Sequence, residues 1–390
     1  MMIENFAFQK KISLLLLFLL VITACNPFHS VVIQDATHTD QQVVVDSKLA
    51  EELNRFLDEE DKLPLDRLLH QVGYQVVEKI SLYQQGKPVH YFDWVEVAEQ
   101  IYWQKDGSIS FQGEIINPDK IEVWSDAKET TAQFRVTDLA NTILSPLSCN
   151  LIEGSSSTSL TGIQASHVVF IFWDGLGYLD IQKALELQIV PTMASLPEPL
   201  MGITVFPSKT SVATAAMITG LPPEKNGVDM AGIRSSDAKT IFNILEGCNK
   251  TFSIVEGNTL YLNNLGGGHL YLNSDVDGNA STDDEVFVSA MQAMKGKMPD
   301  FLWVHFHGLD DSGHTYSPWS EEYVQSMKNI DGFVRDLINA SPTDTLFLIS
   351  ADHGMHPSTA DVRSGEHGTL APQDMLIPLV LYLKSNDGDY

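Results

Sequence analysis

The chain has 390 residues, a length that permits two domains, and 44% of them are hydrophobic, enough for a buried core. Acidic residues outnumber basic ones by 51 to 24, which gives a formal net charge of −27 at pH 7. This charge argues against nonspecific binding to nucleic acid polymers. It does not exclude a small anionic substrate, because bound cations can dominate the field inside a site.

The amino-terminal residues have the pattern of an export signal. Lys10 and Lys11 precede an apolar run over residues 12–22, which is too short to span a bilayer comfortably but suits a signal-peptide core. Small residues stand directly before Cys25, which resembles the lipobox of bacterial lipoproteins. The resemblance implies a signal peptide over 1–24 and a lipid on Cys25 that anchors the protein to the outer face of a bacterial membrane. Ordinary signal cleavage near an incidental cysteine is the alternative.

Two segments with different patterns follow. Residues 25–46 are polar and β-branched without a clear period, and we expect a tether there. Between residues 49 and 82, apolar residues recur at three- and four-residue spacing, which predicts helices broken at Pro64.

The next part of the chain predicts a small accessory domain. Strand-like stretches lie at 108–116, 120–124 and 132–136. With the preceding helices they predict an α+β domain over 47–150, for which we recognise no family. A Gly- and Ser-rich stretch predicts a linker over 151–164, and the larger carboxy-terminal domain is expected over 165–385.

Two polar residues stand next to predicted elements of that larger domain. The apolar run 167–173 predicts a strand covered on both faces, and Asp174 ends it, where open α/β sheets bind ligands. Small residues after Thr210 predict a short helix that Gly220 and two prolines stop. Thr210 then lies at the helix N-terminus, where the helix dipole favours an anion. A turn aspartate and a helix-capping hydroxyl are the structural alternatives.

A third candidate patch follows the strand-like run 301–307. Asp310 and His314 lie four positions apart in a Gly-bearing segment, so a carboxylate and an imidazole can close on one metal ion. His305 and His307 share one face of the predicted strand with aromatic residues. We therefore expect these two histidines to support ligands or to lie in the core, and not to bind a metal themselves.

The last candidate patches lie near the carboxyl terminus. Asp352 and His353 directly follow an apolar strand-like run at 345–350, and Gly354 permits the sharp turn that both side chains need to reach one metal. His367 stands in a glycine-flanked loop, where an ordinary surface histidine is the alternative.

All these patches would meet at one edge of an α/β sheet, because the carboxyl ends of parallel strands lie together. Carboxylate oxygens and neutral imidazole nitrogens are ligands that zinc accepts. The pattern therefore predicts two divalent metal ions, with zinc favoured, and hydrolysis of a phosphate ester.

The order of the motifs resembles the alkaline phosphatase superfamily. Asp174 comes first, then Thr210 opening a helix that closes on Thr-Gly, then D-x-x-G-H at 310–314, S-A-D-H-G-M at 350–355 and G-x-H-G at 365–368. The third and fourth motifs are most similar to its type I phosphodiesterase/nucleotide pyrophosphatase branch. The resemblance spans about residues 166 to 383 and implies a doubly wound, mostly parallel α/β sheet.

The resemblance also implies roles for these residues. It assigns one metal to Asp310, His314 and His367, and the other to Asp174, Asp352, His353 and the Thr210 oxygen. It further implies a two-step reaction, in which Thr210 attacks phosphorus to give a phosphothreonine that water then hydrolyses.

One position departs from the branch. Its members have an asparagine beyond the nucleophile helix that helps to hold phosphate, whereas an ungapped count from Thr210 reaches Ala231 here. Arg234 could supply the lost contact, because a guanidinium matches phosphate oxygens. A surface arginine is the alternative interpretation.

These observations predict a lipid-anchored hydrolase of a small phosphorylated substrate, with a phosphodiester or nucleotide pyrophosphate favoured. Few cations stand near the motifs, while aromatic residues such as Trp173 and Tyr316 could line a pocket for a second substituent. A phosphomonoesterase and a noncatalytic surface-anchored binding protein stay open as alternatives. An arylsulfatase is disfavoured because the C-x-P-x-R motif is absent at Thr210, and a phosphomutase is disfavoured by export.

The sequence leaves two further matters open. Cys149 and Cys248 can form a disulfide in an oxidising compartment, but two cysteines do not make a disulfide framework. No pattern in the sequence predicts the oligomeric state.

Overall fold

The structure is a computed structural model that describes residues 28–38, 40–53, 56–58, 60–125, 131–150, 159–258, 260, 266–359 and 363–385. The predicted signal peptide, Cys25 and residues 151–158 of the predicted linker lie outside this part of the chain. Two compact units are present. Among the described residues, one unit comprises those in the ranges 28–68, Ile80–Tyr91 and Ile101–Val123, and the other those in Leu69–Lys79, Phe92–Gln100 and 124–385. The domain boundaries proposed from the sequence stay predictions.

The first unit is built mainly from two sheets. Its strands are β1 (Val31–Asp35), β2 (Gln42–Val45), β3 (Lys62–Pro64), β4 (Lys79–Gln84), β5 (Lys87–Asp93), β6 (Ile101–Gln104), β7 (Ile109–Phe111), β8 (Glu114–Ile116) and β9 (Lys120–Trp124). Its helices are α1 (Ser47–Leu53) and the first part of α2 (Leu65–Gln71), which begins directly after Pro64 and continues past the unit boundary at Leu68. Five strands pair in the order β2-β1-β9-β4-β5, and four antiparallel strands in the order β3-β6-β7-β8.

The segment 25–46 differs from the predicted tether. Its residues form β1 and β2, which pair antiparallel, and Val31, Ile33 and Val45 are buried. Side chains along β1 alternate between buried and half-buried, as expected for a strand with one face on a core. An alternation over only five residues between polar neighbours is too short to stand out in the sequence.

The second unit contains the largest sheet. Its strands are β10 (Phe134–Arg135), β11 (His167–Trp173), β12 (Leu200–Ile203), β13 (Phe252–Glu256), β14 (His269–Leu272), β15 (Phe301–Phe306), β16 (Thr345–Ser350), β17 (His356–Pro357), β18 (Gly365–Glu366) and β19 (Leu376–Lys384). Its helices are α3 (Trp94–Val97), α4 (Asp138–Leu144), α5 (Tyr178–Glu186), α6 (Pro191–Ala194), α7 (Thr210–Thr219), α8 (Pro223–Asn226), α9 (Ile241–Gly247), α10 (Asp283–Met294), α11 (Gly308–Tyr316), α12 (Glu321–Ala340) and α13 (Pro372–Met375).

The eight-stranded sheet has the order β10-β12-β19-β16-β11-β15-β13-β14. The central strand β11 pairs in parallel with both β15 and β16, and β13 is parallel to β14 and β15. In this sheet β19 runs antiparallel to both of its neighbours, β12 and β16. The predicted doubly wound α/β fold with a mostly parallel sheet is therefore confirmed.

The three central strands form the core of this unit. Every residue of β15 and β16 is buried, as are six of the seven residues of β11. Continuous apolar strands of this kind are typical of parallel sheets that are covered on both faces. The amphipathic helix α12 buries Tyr323, Met327, Ile330 and Val334 at three- and four-residue spacing and so helps to cover the sheet.

The carboxyl ends of the strands place polar residues together. Asp174 directly follows β11, His307 follows β15, and Asp352 lies two positions after β16. Glu256 is the last residue of β13. Because these four strands run in parallel, their terminal side chains lie at the same edge of the sheet.

Two other features concern cross-links and membrane helices. Cys149 and Cys248 form a disulfide with 5.9 Å between their Cα atoms, joining chain segments 99 positions apart. Within the described part of the chain, none of the helices combines the length and the apolar character needed to cross a membrane.

Candidate metal centre and nucleophile

Asp174 lies in a tight turn against the other carboxylates. The next residue, Gly175, has a φ of +74° and donates its backbone N–H to Asp352 Oδ1 over 3.2 Å. A Cβ atom on Gly175 would lie 3.1 Å from the Cβ of Asp310. The glycine therefore supplies both the left-handed backbone and the space that lets three aspartates approach one another.

Thr210 is the first residue of α7, as predicted, and only 7% of its surface is exposed. Its Oγ1 lies 3.2 Å from His353 Nε2. The ten residues of α7 are all buried, and Gly220, with a φ of +62°, ends the helix. The hydroxyl is therefore fixed at a helix N-terminus, where the dipole favours an anion.

One cluster of candidate ligands surrounds His353. Its Nε2 lies 3.0 Å from Asp352 Oδ2 and 3.7 Å from Asp174 Oδ1, in addition to its contact with Thr210. All four side chains are buried. The structure thus brings together the four residues that the resemblance assigns to one metal.

A second cluster contains Asp310, His314 and His367. His314 Nε2 lies 3.3 Å from Asp310 Oδ2 and 3.2 Å from His367 Nε2. His367 Nε2 is also 3.6 Å from Asp310 Oδ1. The imidazoles of His353 and His367 stack with 3.7 Å between ring centroids, so the two clusters adjoin.

The three histidines are oriented in the same way. Each turns Nε2 into the clusters and Nδ1 toward a backbone carbonyl: His314 to Gly365 at 2.8 Å, His367 to Ser208 at 2.7 Å and His353 to Gly354 at 3.0 Å. Histidines that bind metals usually have the outer nitrogen held by such a partner. This arrangement fits metal binding through Nε2.

The spacing of the inner atoms also fits metal ions. Ligand atoms bound tetrahedrally at about 2.0–2.1 Å lie ~3.4 Å apart, which is close to the distances between the imidazole nitrogens and the carboxylate oxygens here. Two carboxylate oxygens, Asp174 Oδ1 and Asp310 Oδ1, are buried with no hydrogen-bond partner within the described part of the chain. Buried anionic oxygens without donors need cations. The donor set fits divalent metals.

The pKa values of the clustered groups also fit the presence of cations between the carboxylates. Burial raises the pKa of Asp174, and the charges of Asp352 and Asp310 raise it further. Burial alone would lower the pKa of His353, but the charge and hydrogen bond of Asp352 raise it to about 10. Burial and the charge of His353 hold the pKa of His367 well below its usual range. The carboxylates therefore repel one another unless positive charge lies between them.

The structure adds a buried carboxylate that the sequence reasoning missed. Glu256 contacts His305 and His307, and both imidazoles contact Asp174. Burial would raise the pKa of Glu256, but the charges and hydrogen bonds of these two histidines lower it. The sequence carried a signal for this residue, because Glu256-Gly257 ends an apolar strand just as Asp174-Gly175 does.

The two arginines near the motifs differ in their surroundings. Arg234, predicted to hold phosphate, is exposed and donates from Nη1 to the carbonyl of Leu260 over 2.5 Å. Its role toward phosphate stays a prediction. Arg363, which the sequence reasoning did not select, has Nη1 3.1 Å from Nε2 of His314. It contacts Glu366 at 3.2 Å and is a cation directly beside the second cluster.

Comparison with known families confirms the predicted resemblance. Residues 247–380 match the family described as "Type I phosphodiesterase / nucleotide pyrophosphatase". The matched stretch contains Asp310, His314, Asp352, His353 and His367, whereas Asp174 and Thr210 precede it. The family match supports an enzyme that acts on phosphate esters.

The curated relatives match over short stretches. The chain is 35% identical over 85 residues to GPI ethanolamine phosphate transferase 3 of Eremothecium gossypii, 22% of this chain and 8% of that protein. It is 28% identical over 102 residues to GPI ethanolamine phosphate transferase 3, catalytic subunit, of Mus musculus, 26% of this chain and 9% of that protein. The chain thus spans less than a tenth of the length of these relatives.

Similar solved structures include human ectonucleotide pyrophosphatase / phosphodiesterase 5, at 14% identity and a TM-score of 0.47, covering 55% of this chain and 87% of that one. Phosphonoacetate hydrolase from Sinorhizobium meliloti is similar at 15% identity and a TM-score of 0.42, covering 50% and 58%.

The predicted location is wrong. The curated relatives are eukaryotic, from fungi and mammals, which contradicts a lipoprotein anchored to the outer face of a bacterial membrane. The motif before Cys25 is short. A few small residues before a cysteine also occur by chance after an apolar run, so the motif did not distinguish a lipobox from a coincidence.

Proposed function

We propose that this protein is a metal-dependent enzyme that transfers the phosphoryl group of a phosphodiester through a covalent intermediate on Thr210. The observation that carries the proposal is the position of the Thr210 hydroxyl. It lies at the N-terminus of a buried ten-residue helix, 3.2 Å from His353 Nε2, beside three aspartates and two further histidines.

The two clusters would hold two divalent cations, with zinc favoured by the mixture of imidazole and carboxylate donors. Asp310, His314 and His367 would hold one cation. Asp174, Asp352, His353 and Thr210 would hold the other. When bound, such cations neutralise the carboxylates, lower the pKa of the hydroxyl and stabilise charge that develops on the phosphoryl oxygens.

The reaction then needs two displacements at phosphorus. In the first, Thr210 Oγ1 loses its proton and bonds to phosphorus as the bond to the leaving alcohol breaks. In the second, the oxygen of the acceptor gives up its proton and bonds to phosphorus as the bond from phosphorus to Thr210 Oγ1 breaks, and Thr210 Oγ1 regains a proton. The positive end of the α7 dipole stabilises the anionic phosphoryl group throughout.

Two acceptors are supported by different observations. Water as the acceptor gives a phosphodiesterase, the activity in the name of the matched family. An alcohol as the acceptor gives a transferase, the activity in the names of the curated relatives. The first displacement is the same in both cases, so both rest on the same cluster of residues. A diester is favoured over a monoester, because the described cations beside the clusters are few.

The test uses an aryl phosphodiester with and without ethanolamine as an acceptor alcohol. We expect Thr210→Ala to lose turnover on the order of a thousandfold or more. Thr214→Ala is the matched control, because Thr214 lies one turn later in α7 and its hydroxyl has no hydrogen-bond partner among the described residues. A Thr210→Ala protein that keeps a tenth of the wild-type rate would exclude Thr210 as the nucleophile.

The same assay separates the acceptors. Product that carries the added alcohol, and that rises with alcohol concentration, identifies a transferase. Release of only the phosphate monoester identifies a hydrolase. Binding of the diester without any turnover by metal-loaded protein would instead support a noncatalytic binding protein.

A further inference from the structure

Glu256 is a buried carboxylate that the proposed reaction does not use. It ends strand β13, and 6% of its surface is exposed. Oε1 accepts a hydrogen bond from the indole N–H of Trp303 over 2.9 Å. Oε2 lies 2.8 Å from His305 Nδ1 and 3.4 Å from His307 Nε2. One carboxylate thus holds the same side of two imidazole rings.

The opposite nitrogens of both rings face Asp174. His305 Nε2 is 3.2 Å and His307 Nδ1 is 3.4 Å from Asp174 Oδ2. The ring of His305 stacks on Phe172 with 3.6 Å between centroids, and 3.8 Å separates it from the ring of His307. The imidazoles are therefore packed in place between two carboxylates.

The two oxygens of Asp174 face different surroundings. Oδ2 meets His305 and His307, whereas Oδ1 points toward His353 and has no hydrogen-bond partner within the described part of the chain. Rotation of the carboxylate about its bond to Cβ would exchange the two oxygens. The contacts at Oδ2 therefore decide which way Oδ1 points.

We infer that Glu256 is a positioning residue that orients Asp174 through His305 and His307. The inference rests on the proposed function, in which Asp174 Oδ1 binds a cation. Groups that hold the outer side of a metal site typically change metal affinity by about 10- to 100-fold when they are removed.

The contacts explain why a carboxylate is needed at this position. Trp303 donates to one oxygen and the imidazoles approach the other, so both oxygens serve as acceptors. A glutamine would present one oxygen and one NH₂ group of similar size, and the NH₂ group is only a donor. In either orientation of the amide, a donor would face either the indole N–H or the imidazoles.

The experiment measures zinc affinity of the purified full chain by competition with a chelator, and so does not depend on activity. We expect Glu256→Gln to weaken zinc binding by about 10- to 100-fold. Trp303→Phe is the matched control, because it removes a partner of Glu256 on the side away from Asp174. Trp303→Phe should change zinc affinity by less than about threefold. This should hold even where Trp303→Phe lowers the melting temperature as much as Glu256→Gln does.

The outcomes are distinguishable. Glu256→Gln protein that binds zinc within threefold of wild type would overturn the inference and leave the proposed function intact. Equal weakening by Trp303→Phe would show that packing, and not the histidine pair, accounts for the effect. Loss of one whole zinc equivalent, with the affinity of the rest unchanged, would show that the histidine pair holds an ion of its own. Wild-type protein that binds no divalent metal would overturn both proposals.

Discussion

Gly175→Ala tests whether the close approach of the aspartates is needed for activity. Gly175 has a φ of +74°, and an alanine in a left-handed conformation costs about 1–2 kcal/mol. Its Cβ would also lie 3.1 Å from Asp310 Cβ and 3.2 Å from Asp310 Oδ1, closer than ordinary van der Waals contact. Asp310 must then move by a few tenths of an ångström.

Gly227→Ala separates the effect of backbone strain from the effect of displacing Asp310. Gly227 has a φ of +79°, but a Cβ atom there has no neighbour within 4 Å. Both variants should therefore lose a similar 1–2 kcal/mol of unfolding free energy, roughly the cost of the left-handed alanine. A displacement of about 1 Å can cost on the order of 100-fold in rate, so the smaller shift of Asp310 is expected to reduce kcat/KM by about 5- to 10-fold in Gly175→Ala alone.

The assay combines chemical denaturation with turnover of an aryl phosphodiester at saturating zinc. Equal activity of the two variants, at equal loss of stability, would refute the reasoning that Gly175 makes room for Asp310. A large loss of activity in Gly227→Ala would show that backbone strain by itself impairs the enzyme.

Three further predictions concern the ligands, a buried acid and the two arginines. His314→Ala should lower both bound zinc, measured by elemental analysis, and turnover, whereas His269→Ala on the exposed strand β14 should change neither; a fully metallated, inactive His314→Ala protein would contradict the ligand assignment. Burial raises the pKa of Asp180 to about 6, although Trp319 and Tyr323 donate hydrogen bonds to it. Because this pKa lies above the ordinary value, the stabilisation is present below pH ~4 and is lost as the pH rises through ~6, by about 3 kcal/mol at most. Denaturant titrations from pH 4 to 8 should show this loss in wild type and not in Asp180→Asn, and parallel profiles would contradict it. Arg234→Ala should lower kcat/KM for a diester by an amount that corresponds to about 1–3 kcal/mol of transition-state stabilisation, if the guanidinium holds a phosphoryl oxygen. A loss of kcat/KM confined to Arg363→Ala would assign that role to the arginine beside His314.

The sequence indicated that seven residues would lie at one edge of the sheet, and the structure places them close together, while their roles stay predictions. Asp174, Asp310 and Asp352 all follow apolar strands, and parallel strands bring their carboxyl ends to one edge. Spacing alone could not reveal that His353 and His367 stack, because that contact depends on how two loops fold.

Other features lay beyond sequence reasoning. Trp173, expected as a possible pocket wall, is fully buried in β11, because consecutive residues of a strand in a covered sheet all lie in the core. Arg363 stands in a loop without a periodic pattern, so nothing in the sequence predicted its approach to His314. Glu256 could have been selected by the same criterion that selected Asp174, because it too ends an apolar strand before a glycine.

In the proposed reaction the clustered residues act on the phosphoryl group, and the choice of acceptor falls to their surroundings. Thr210 is 7% exposed and α7 is wholly buried, and in the proposed in-line reaction the acceptor approaches phosphorus from the side that the leaving alcohol has vacated. Water and an alcohol would attack from that same side, and the charges near phosphorus do not distinguish them. We propose that Lys209 and Arg363, the cations beside the second cluster, influence the choice between hydrolysis and transfer. Substitutions there should change the ratio of the two products more than the rate of the first displacement.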